Sequence, residues 1–235
     1  RGAKYVAGGA DRISAVLPDL KDADDGAMDE TGRYVRISDG GELQEPGMNC
    51  SGFSKWITDS LYYPRAGRYL AIRELSVKHP DRRGNRWGEQ FDPIRDPYFG
   101  LDWTRNCAVS ILRLDDSEAD IEEADVRSVP FFPYIEDVGY PAEEIPLILY
   151  LLSVMEPGNI YLGAVNGDSG KGPSLRQYYH IAVFFPWLES DGNLVVRVFE
   201  RNVETPMKAF ASRYEGEYIH LVRIRAGDFS FPPFP

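Results

Sequence analysis

Apolar residues recur at helical spacing in the first third of the chain. Asn49 precedes them as a suitable N-cap, and Pro64 follows as a stop signal. The pattern therefore predicts an amphipathic helix that begins near residue 50 and buries one face. A second apolar run predicts a helix over residues 143–155. The buried face of the first helix would carry Phe53, Trp56, Ile57 and Leu61.

Short runs of β-branched and aromatic residues, separated by turn signals, follow the second helix. The sequence Ser190-Asp191-Gly192-Asn193 is typical of a hairpin turn, and a Gly/Ser-rich loop covers residues 167–174. Because helix comes first and an antiparallel sheet follows, the order of elements predicts an α+β fold. The predicted strands are 33–37, 160–165, 179–187, 194–201 and 218–225.

Two long segments lack this regularity. Residues 10–46 and 75–141 are rich in Asp, Gly, Pro and Arg, which predicts surface excursions of irregular structure and short strands. Gly8-Gly9 predicts a turn just before the first of them. We expect both segments to be insertions within a single domain that spans residues 1–235.

Composition and charge narrow the possible partners. Of the 235 residues, 43% are hydrophobic and 27% are charged, a globular balance. The net charge of −11 argues against nucleic acid and anionic membrane as partners, because both need a basic face. No apolar run approaches the roughly 20 residues that span a bilayer, so no transmembrane segment is predicted. The Pro/Phe-rich tail, residues 229–235, is expected to form a strap over its own domain, with a polyproline ligand as the alternative. The oligomeric state stays open.

Metal and disulfide chemistry have weak signals. The acidic run at 115–125 lacks the spaced ligands and central glycine of a calcium loop, so we interpret it as solvated surface. We expect neither a metal nor a cofactor. The two cysteines allow at most one disulfide. Cys107 follows Asn106 and precedes an apolar pair, which predicts a buried cysteine in a strand.

The other cysteine lies where a thiol would be activated. Cys50 is at the predicted helix start, where unpaired backbone N–H groups and the helix dipole lower a thiol pKa and supply donors for an oxyanion. His180 opens a predicted strand, and a neutral imidazole there would take the thiol proton and return it to a leaving amine. We expect neither His79 nor His220 to meet a thiol.

A nucleophilic Cys–His pair needs a third polar group to orient the ring. If the hairpin turns about Asp191, position 180 lies opposite position 202, which predicts that Asn202 contacts the ring of His180. Glu200 and Glu204 share that face and are the alternatives. A slip of one residue in the turn would change the partner.

Four short motifs include the candidate residues or precede them in the chain. Cys50 lies in Asn49-Cys50-Ser51-Gly52-Phe53, which is similar to D-C-S-G-[FL]. The other three, in chain order, are Tyr5-Val6-Ala7-Gly8-Gly9, similar to Y-x-W-G-G; Pro157-Gly158-Asn159-Ile160-Tyr161, similar to P-G-D-L-[VI]; and His180-Ile181-Ala182-Val183-Phe184, similar to H-V-[GA]-I-Y. Together they resemble the motifs of the NlpC-type papain-like cysteine peptidases of bacterial cell walls, in which D-C-S-G-[FL] carries the nucleophile.

The resemblance implies a papain-like α+β core and a site of known type. Cys50 would be the nucleophile, His180 the general base, and the substrate an amide in the peptide stem of peptidoglycan, between D-glutamate and a diamino acid. Tyr5 would help to stabilise the oxyanion, and Asn49 and Ser51 would line the pocket for the amino end of the stem. The location would be extracytoplasmic.

The chain also departs from the family pattern. Asn49 replaces an aspartate, Ala7 replaces an aromatic residue, and Cys50 and His180 are much further apart than the family's spacing of roughly 50 residues. We therefore expect the two insertions to wall the substrate groove. Two alternatives stay open: a non-catalytic envelope-binding module on the same fold, and a thiol amidase or acyltransferase with another substrate.

Overall fold

A computed structural model describes residues 2–83, 88–91, 95–136, 138–168, 170 and 175–235, and it confirms the α+β class. The helices among these residues are α1 (Gly2–Val16), α2 (Cys50–Ala66), α3 (Ile72–Leu75), α4 (Phe99–Leu112), α5 (Ile121–Ala124), α6 (Ile145–Met155) and α7 (Met207–Arg213). The strands are β1 (Gly26–Met28), β2 (Tyr34–Arg36), β3 (Tyr140–Pro141), β4 (Asn159–Asp168), β5 (Arg176–Leu188), β6 (Leu194–Glu200), β7 (Val203–Thr205) and β8 (Tyr218–Arg225).

A six-stranded antiparallel sheet in the order β3-β8-β4-β5-β6-β7 divides the core into two layers. Strand β5 shows why, because its side chains alternate between the two faces. Ile181 and Val183 pack into the cluster that contains α2, whereas Ala182 and Phe184 pack into the cluster that contains α6. The small hairpin of β1 and β2 lies against α2.

Helix α2 confirms the predicted amphipathic pattern, since its four predicted core residues are all buried. Its predicted end at Pro64 is wrong, because the helix continues to Ala66 and ends at Gly67 with φ of 69°. Pro64 has no N–H to donate to the carbonyl of Ser60. The backbone N–H of Ser230, in the tail, donates to that carbonyl instead at 2.8 Å.

The tail covers its own domain, as predicted. The ring of Phe231 stacks on Trp56 with centroids 4.6 Å apart, and the indole N–H of Trp56 donates to the carbonyl of Pro232 at 3.0 Å. This strap runs over α2, the helix that carries Cys50 at its start. It therefore helps to hold this helix in place.

The first segment predicted as irregular begins within a helix. Gly8 and Gly9 lie inside α1, so the predicted turn there is wrong. A Cβ atom at Gly9 would lie 2.4 Å from the ring of Phe229, so the glycine permits close packing of helix and strap. The remainder of the segment includes the β1–β2 hairpin, of which the predicted strand at 33–37 is one half.

The second segment, 75–141, also contains regular structure that the sequence patterns did not predict. Its helix α4 packs against α2, and the indole N–H of Trp103 donates to the carbonyl of Ser51 at 3.0 Å. Cys107 is buried as predicted, but it lies in α4 and not in a strand. Of the predicted loop at 167–174, residues 167 and 168 continue β4, and 169 and 171–174 lie outside the described residues.

The described residues contain neither a membrane-spanning helix nor a cluster of metal-ligating side chains. No helix among them is long and apolar enough to cross a bilayer. No group of three or more His, Cys, Asp or Glu side chains among them is arranged to hold a metal ion. The acidic run contributes a helix cap instead, since the carboxylate of Asp120 accepts from the N–H of Ile121 at the start of α5.

Candidate functional site

The candidate site begins at the N-terminus of α2. Asn49 is the N-cap, as predicted, and its Oδ1 accepts from the N–H of Gly52 at 2.9 Å. Its Nδ2 donates to the carbonyl of Asp24 at 3.1 Å, so both ends of the amide hold the helix start in place. Cys50 is the first helical residue and is partly exposed. The thiol therefore lies at the positive end of the helix dipole.

A bulge in β5 presents His180 to this thiol. Val165 pairs with His180 and Asn166 pairs with Tyr178, so Tyr179 is the extra residue of the bulge. Bulges of this kind redirect side chains at the edges of sheets. The imidazole of His180 is largely buried and stacks on Tyr214, with ring centroids 5.8 Å apart and an interplanar angle of 24°.

The side chain of His180 and the backbone N–H of Ile181 lie within interaction range of the Cys50 sulfur, and both lower the pKa of the thiol. Strand β6 pairs with β5 only from Val183 onward, so the N–H of Ile181 lies beyond the paired stretch and is available to the sulfur. The end of the β5–β6 ladder thus supplies a thiolate donor that an uninterrupted sheet would have used for itself.

The electrostatics favour an ion pair. Burial alone raises the pKa of the Cys50 thiol, but the contacts with His180 and Ile181 and the charge of Arg201 outweigh it and lower that pKa below its usual value. Burial alone lowers the pKa of His180, but its hydrogen bonds with Cys50 and Glu200 raise it to about 9. Both shifts favour the thiolate–imidazolium form of the pair.

Glu200 is the third member of this chain of contacts. Its Oε1 lies 2.8 Å from Nε2 of His180. Three more donors surround the carboxylate: the hydroxyl of Thr205 at 2.6 Å, a guanidinium nitrogen of Arg213 at 2.8 Å and the hydroxyl of Tyr214 at 2.9 Å. Burial alone raises the pKa of Glu200, but these donors and the imidazolium lower it to about 2. The carboxylate is therefore a fixed negative charge behind the ring.

The prediction that Asn202 orients the ring is wrong, although the register behind it is the one observed. Val183 pairs with Phe199, as a turn about Asp191 requires. Strand β6 ends at Glu200, however, and Arg201 takes a left-handed conformation with φ of 54°. The chain turns away before position 202, and Nδ2 of Asn202 donates to the carbonyl of Leu20 at 3.1 Å. Glu200, diagonal to His180 on the same face, reaches the ring instead.

Glu204, the other alternative, is also committed elsewhere. Its carboxylate accepts from the guanidinium of Arg197 at 2.6 Å and from the hydroxyl of Ser14 at 2.9 Å. These contacts lie on the exposed side of β7 and link it to α1. Glu204 therefore supports the edge of the sheet and not the imidazole.

Tyr5 and Ser51 do not take the places predicted for them. Tyr5 lies in α1 and lines a separate cavity of about 390 Å³ together with Arg12 and Phe229. Ser51 is only 4% exposed, because Trp103 packs over it and donates to its carbonyl. A side chain so enclosed is a poor lining for a substrate pocket.

The second cysteine and the other histidines have structural environments. Burial raises the pKa of Cys107 to about 12, so this thiol is inert by comparison with Cys50. Nε2 of His79 lies 2.7 Å from Oδ1 of Asn106, and Nε2 of His220 lies 3.3 Å from a carboxylate oxygen of Asp125. Cys50 is thus the activated thiol, and His180 is the imidazole that it meets.

A cavity of about 430 Å³ opens beside His180 and Glu200. Sequence reasoning missed most of its wall, because α7 and the β6–β7 turn bring their side chains here only through tertiary packing. The two segments predicted as insertions, 10–46 and 75–141, also reach this region. Asp22, in the first, pairs with Arg201 at 2.6 Å, and Arg95, in the second, lines the cavity. Besides His180 and Glu200, the lining residues are Arg95, Tyr179, Arg201, Val203, Thr205, Arg213 and Tyr214.

Comparison of the chain with protein family models, with characterised proteins and with solved structures finds no match. The chemistry of the site therefore rests on its own geometry. A cysteine of lowered pKa at a helix start, an imidazole and a buried carboxylate bound to it are components of nucleophilic catalysis on a carbonyl carbon.

Proposed function

We propose that this protein is a cysteine peptidase that hydrolyses amide bonds in the stem peptides of peptidoglycan, outside the cytoplasm. The observation that carries the proposal is the line of contacts from the Cys50 sulfur through the His180 ring to the Glu200 carboxylate. A merely structural cysteine has no need of an imidazole held by a buried acid. The chemistry comes from this geometry, and the choice of substrate comes from the motif resemblance.

In the proposed mechanism, the Cys50 thiolate attacks the amide carbonyl and forms a tetrahedral intermediate. The backbone N–H of Cys50, at the start of α2, donates to the oxyanion, and the helix dipole adds to its stabilisation. The imidazolium of His180 gives its proton to the leaving amine, and the C–N bond breaks. His180 then takes a proton from water, which attacks the thioester and releases the acid and the thiolate. Glu200 holds the ring and stabilises its charged form throughout.

The motif resemblance supports the substrate class in part. Asn49-Cys50-Ser51-Gly52-Phe53 begins a helix, and His180-Ile181-Ala182-Val183-Phe184 lies in a strand beside it, as the resemblance implies. The Tyr5 element differs, since it is helical and lines another cavity. The oxyanion is therefore assigned to backbone donors in this proposal.

The test is digestion of purified peptidoglycan by the wild type and by two cysteine variants. Cys50→Ala should abolish release of muropeptide fragments, identified by mass spectrometry, whereas Cys107→Ala is the matched control and should remain active as long as it is folded. Full activity of Cys50→Ala would contradict the proposal. Cleavage of other amides, with peptidoglycan left intact, would retain the thiol chemistry and reject the substrate.

A labelling experiment separates catalysis from a passive binding role. The activated thiol should react with iodoacetamide well below about pH 8, where an ordinary cysteine is largely protonated. The same reaction in Cys50→Ala reports the residual reactivity of Cys107. If Cys50 titrates like a free thiol, a binding module on the same fold becomes the better explanation.

A further inference from the structure

The cavity beside the candidate site concentrates positive charge in a protein that is acidic overall. Arg95, Arg201 and Arg213 line it, and Glu200 is the carboxylate among its lining residues. The chain as a whole carries a net charge of −11. A local excess of guanidinium groups in such a chain has an energetic cost from mutual repulsion, unless an anion binds between them.

Glu200 does not neutralise this group of arginines. Its carboxylate already receives hydrogen bonds from His180, Thr205, Tyr214 and Arg213. Four donors fill the lone-pair positions of a carboxylate. One of the arginines, Arg213, is thus paired, and its side chain is still 54% exposed.

The other two guanidinium groups keep capacity for a ligand. Arg201 contacts Asp22 through one nitrogen at 2.6 Å, and its side chain is 40% exposed. Within the part of the chain that the structure describes, Arg95 forms no ion pair. Guanidinium groups bind carboxylates in a planar, two-pronged manner, and two of them line this one cavity.

We infer that this cavity binds a carboxylate of the amide substrate, held by Arg95 and Arg201 next to the His180–Glu200 pair. The inference rests on the proposed function and narrows its substrate to amides that carry a carboxylate near the scissile bond. Arg201 lines the same cavity as His180, and its positive charge also helps to lower the pKa of the Cys50 thiol. Binding of the carboxylate would therefore bring the carbonyl carbon to the nucleophile.

The test compares two alkylating reagents of nearly equal size on Cys50, the anion iodoacetate and the neutral iodoacetamide. In both reactions the thiolate displaces iodide and forms an S–C bond. The rate ratio of iodoacetate to iodoacetamide should be higher for Cys50 than for glutathione. With an effective dielectric constant of about 40 to 80, the loss of one unit charge several ångströms from the thiolate changes the alkylation rate by about 3- to 10-fold. We expect a fall of that size in the ratio for Arg95→Gln and for Arg201→Gln.

Arg65→Gln is the matched control. Arg65 is also an arginine paired with an aspartate, Asp115, but it lies at the opposite end of α2 from Cys50. Its ratio should equal that of the wild type. Addition of salt should reduce the wild-type preference for iodoacetate toward the glutathione value, because exposed charges are screened.

The outcomes for the two proposals are distinguishable. The ratio is also measured at about pH 10, where an ordinary accessible thiol is ionised. If Cys50 reacts below about pH 8 like an ordinary thiol, the proposed function is overturned. The rate ratio at about pH 10 can still be measured in that case, and it decides whether the cavity binds a carboxylate. Equal ratios for wild type, both cavity variants and glutathione would overturn the carboxylate site and leave the thiol chemistry intact. If the ratio falls as expected, a peptide amide with a free carboxylate should be cleaved faster than its carboxamide analogue, and Arg95→Gln should reduce this preference.

Discussion

Replacement of Glu200 by glutamine tests whether a buried carboxylate sustains the ion pair. The substitution keeps the shape of the side chain and removes its charge, 2.8 Å from Nε2 of His180. Because the carboxylate stabilises the imidazolium, the pKa of His180 should fall from about 9. The ion pair with Cys50 should then exist over a narrower range of pH.

The size of the shift follows from the contact. A hydrogen bond to a charged group contributes roughly 1.5–3 kcal/mol, and about 1.36 kcal/mol corresponds to one pKa unit. The pKa of His180 should therefore decrease by about one to two units. The side-chain NH2 of the glutamine would also face groups that donate hydrogen bonds to the carboxylate in the wild type. This mismatch of two donors should lower the free energy of unfolding by roughly 1–3 kcal/mol.

Two measurements report the shift. The chemical shifts of the imidazole, followed by NMR against pH, give the pKa of His180 directly. The alkaline limb of the pH profile of kcat/KM reports the same pKa, and it should move to lower pH by the same amount. Circular dichroism establishes that the variant is folded.

Glu204→Gln is the control, since this nearby carboxylate binds Arg197 and Ser14 on the exposed side of the sheet edge. It should leave the pKa of His180 unchanged, because an exposed ion pair contributes little. The reasoning fails if Glu200→Gln is folded and its His180 titrates as in the wild type. It also fails if the two glutamine variants shift the pKa equally.

Three further predictions concern stability. Gly9→Ala should lower the melting temperature, because the new Cβ would lie 2.4 Å from the Phe229 ring. Gly8→Ala has open space at its Cβ position and should raise the free energy of unfolding by up to about 1 kcal/mol. Equal effects of the two variants would contradict the packing argument. Asn49→Ala should cost about 0.5–2 kcal/mol in urea unfolding through loss of the N-cap, and Asn49→Ser, which keeps a capping oxygen, should recover most of it. The pKa of Glu200 is lowered to about 2 from its ordinary value of 4.5, so the stabilisation that its carboxylate provides is fully present above pH 4.5 and is lost as the pH falls toward 2. Glu200→Gln should therefore lose less stability over this range than the wild type. Parallel acid unfolding curves for the two proteins would refute this prediction.

Short-range patterns in the sequence predicted much of the local structure. The spacing of apolar residues after Asn49 predicted the buried face of α2, and the turn signal at Asp191 predicted the register of β5 with β6. Strand β8 was predicted with its observed bounds, Tyr218–Arg225. These features depend on residues that are neighbours along the chain, so their determinants are visible in a single window of sequence.

The helices that were missed show where such windows fail. Helix α1 contains Gly8 and Gly9, which weaken a helix by roughly 1 kcal/mol each in isolation. It is stable because it packs on the sheet and accepts the ring of Phe229, a residue far away in the chain. Pro64 likewise sits inside α2 because Ser230 donates to the carbonyl that the proline leaves free. In both places tertiary contacts override local preference.

The candidate site divides along the same line. The sequence alone singled out Cys50 at a helix start and His180 in a strand, because the chemistry of each depends on its local element. Only the tertiary structure decided that Glu200 and not Asn202 holds the imidazole, since that choice depends on where β6 stops and where α7 folds back with Arg213 and Tyr214. Caps and periodic patterns arise from bonds between neighbours in the chain, whereas the end of a strand and the walls of a cavity arise from packing between distant segments.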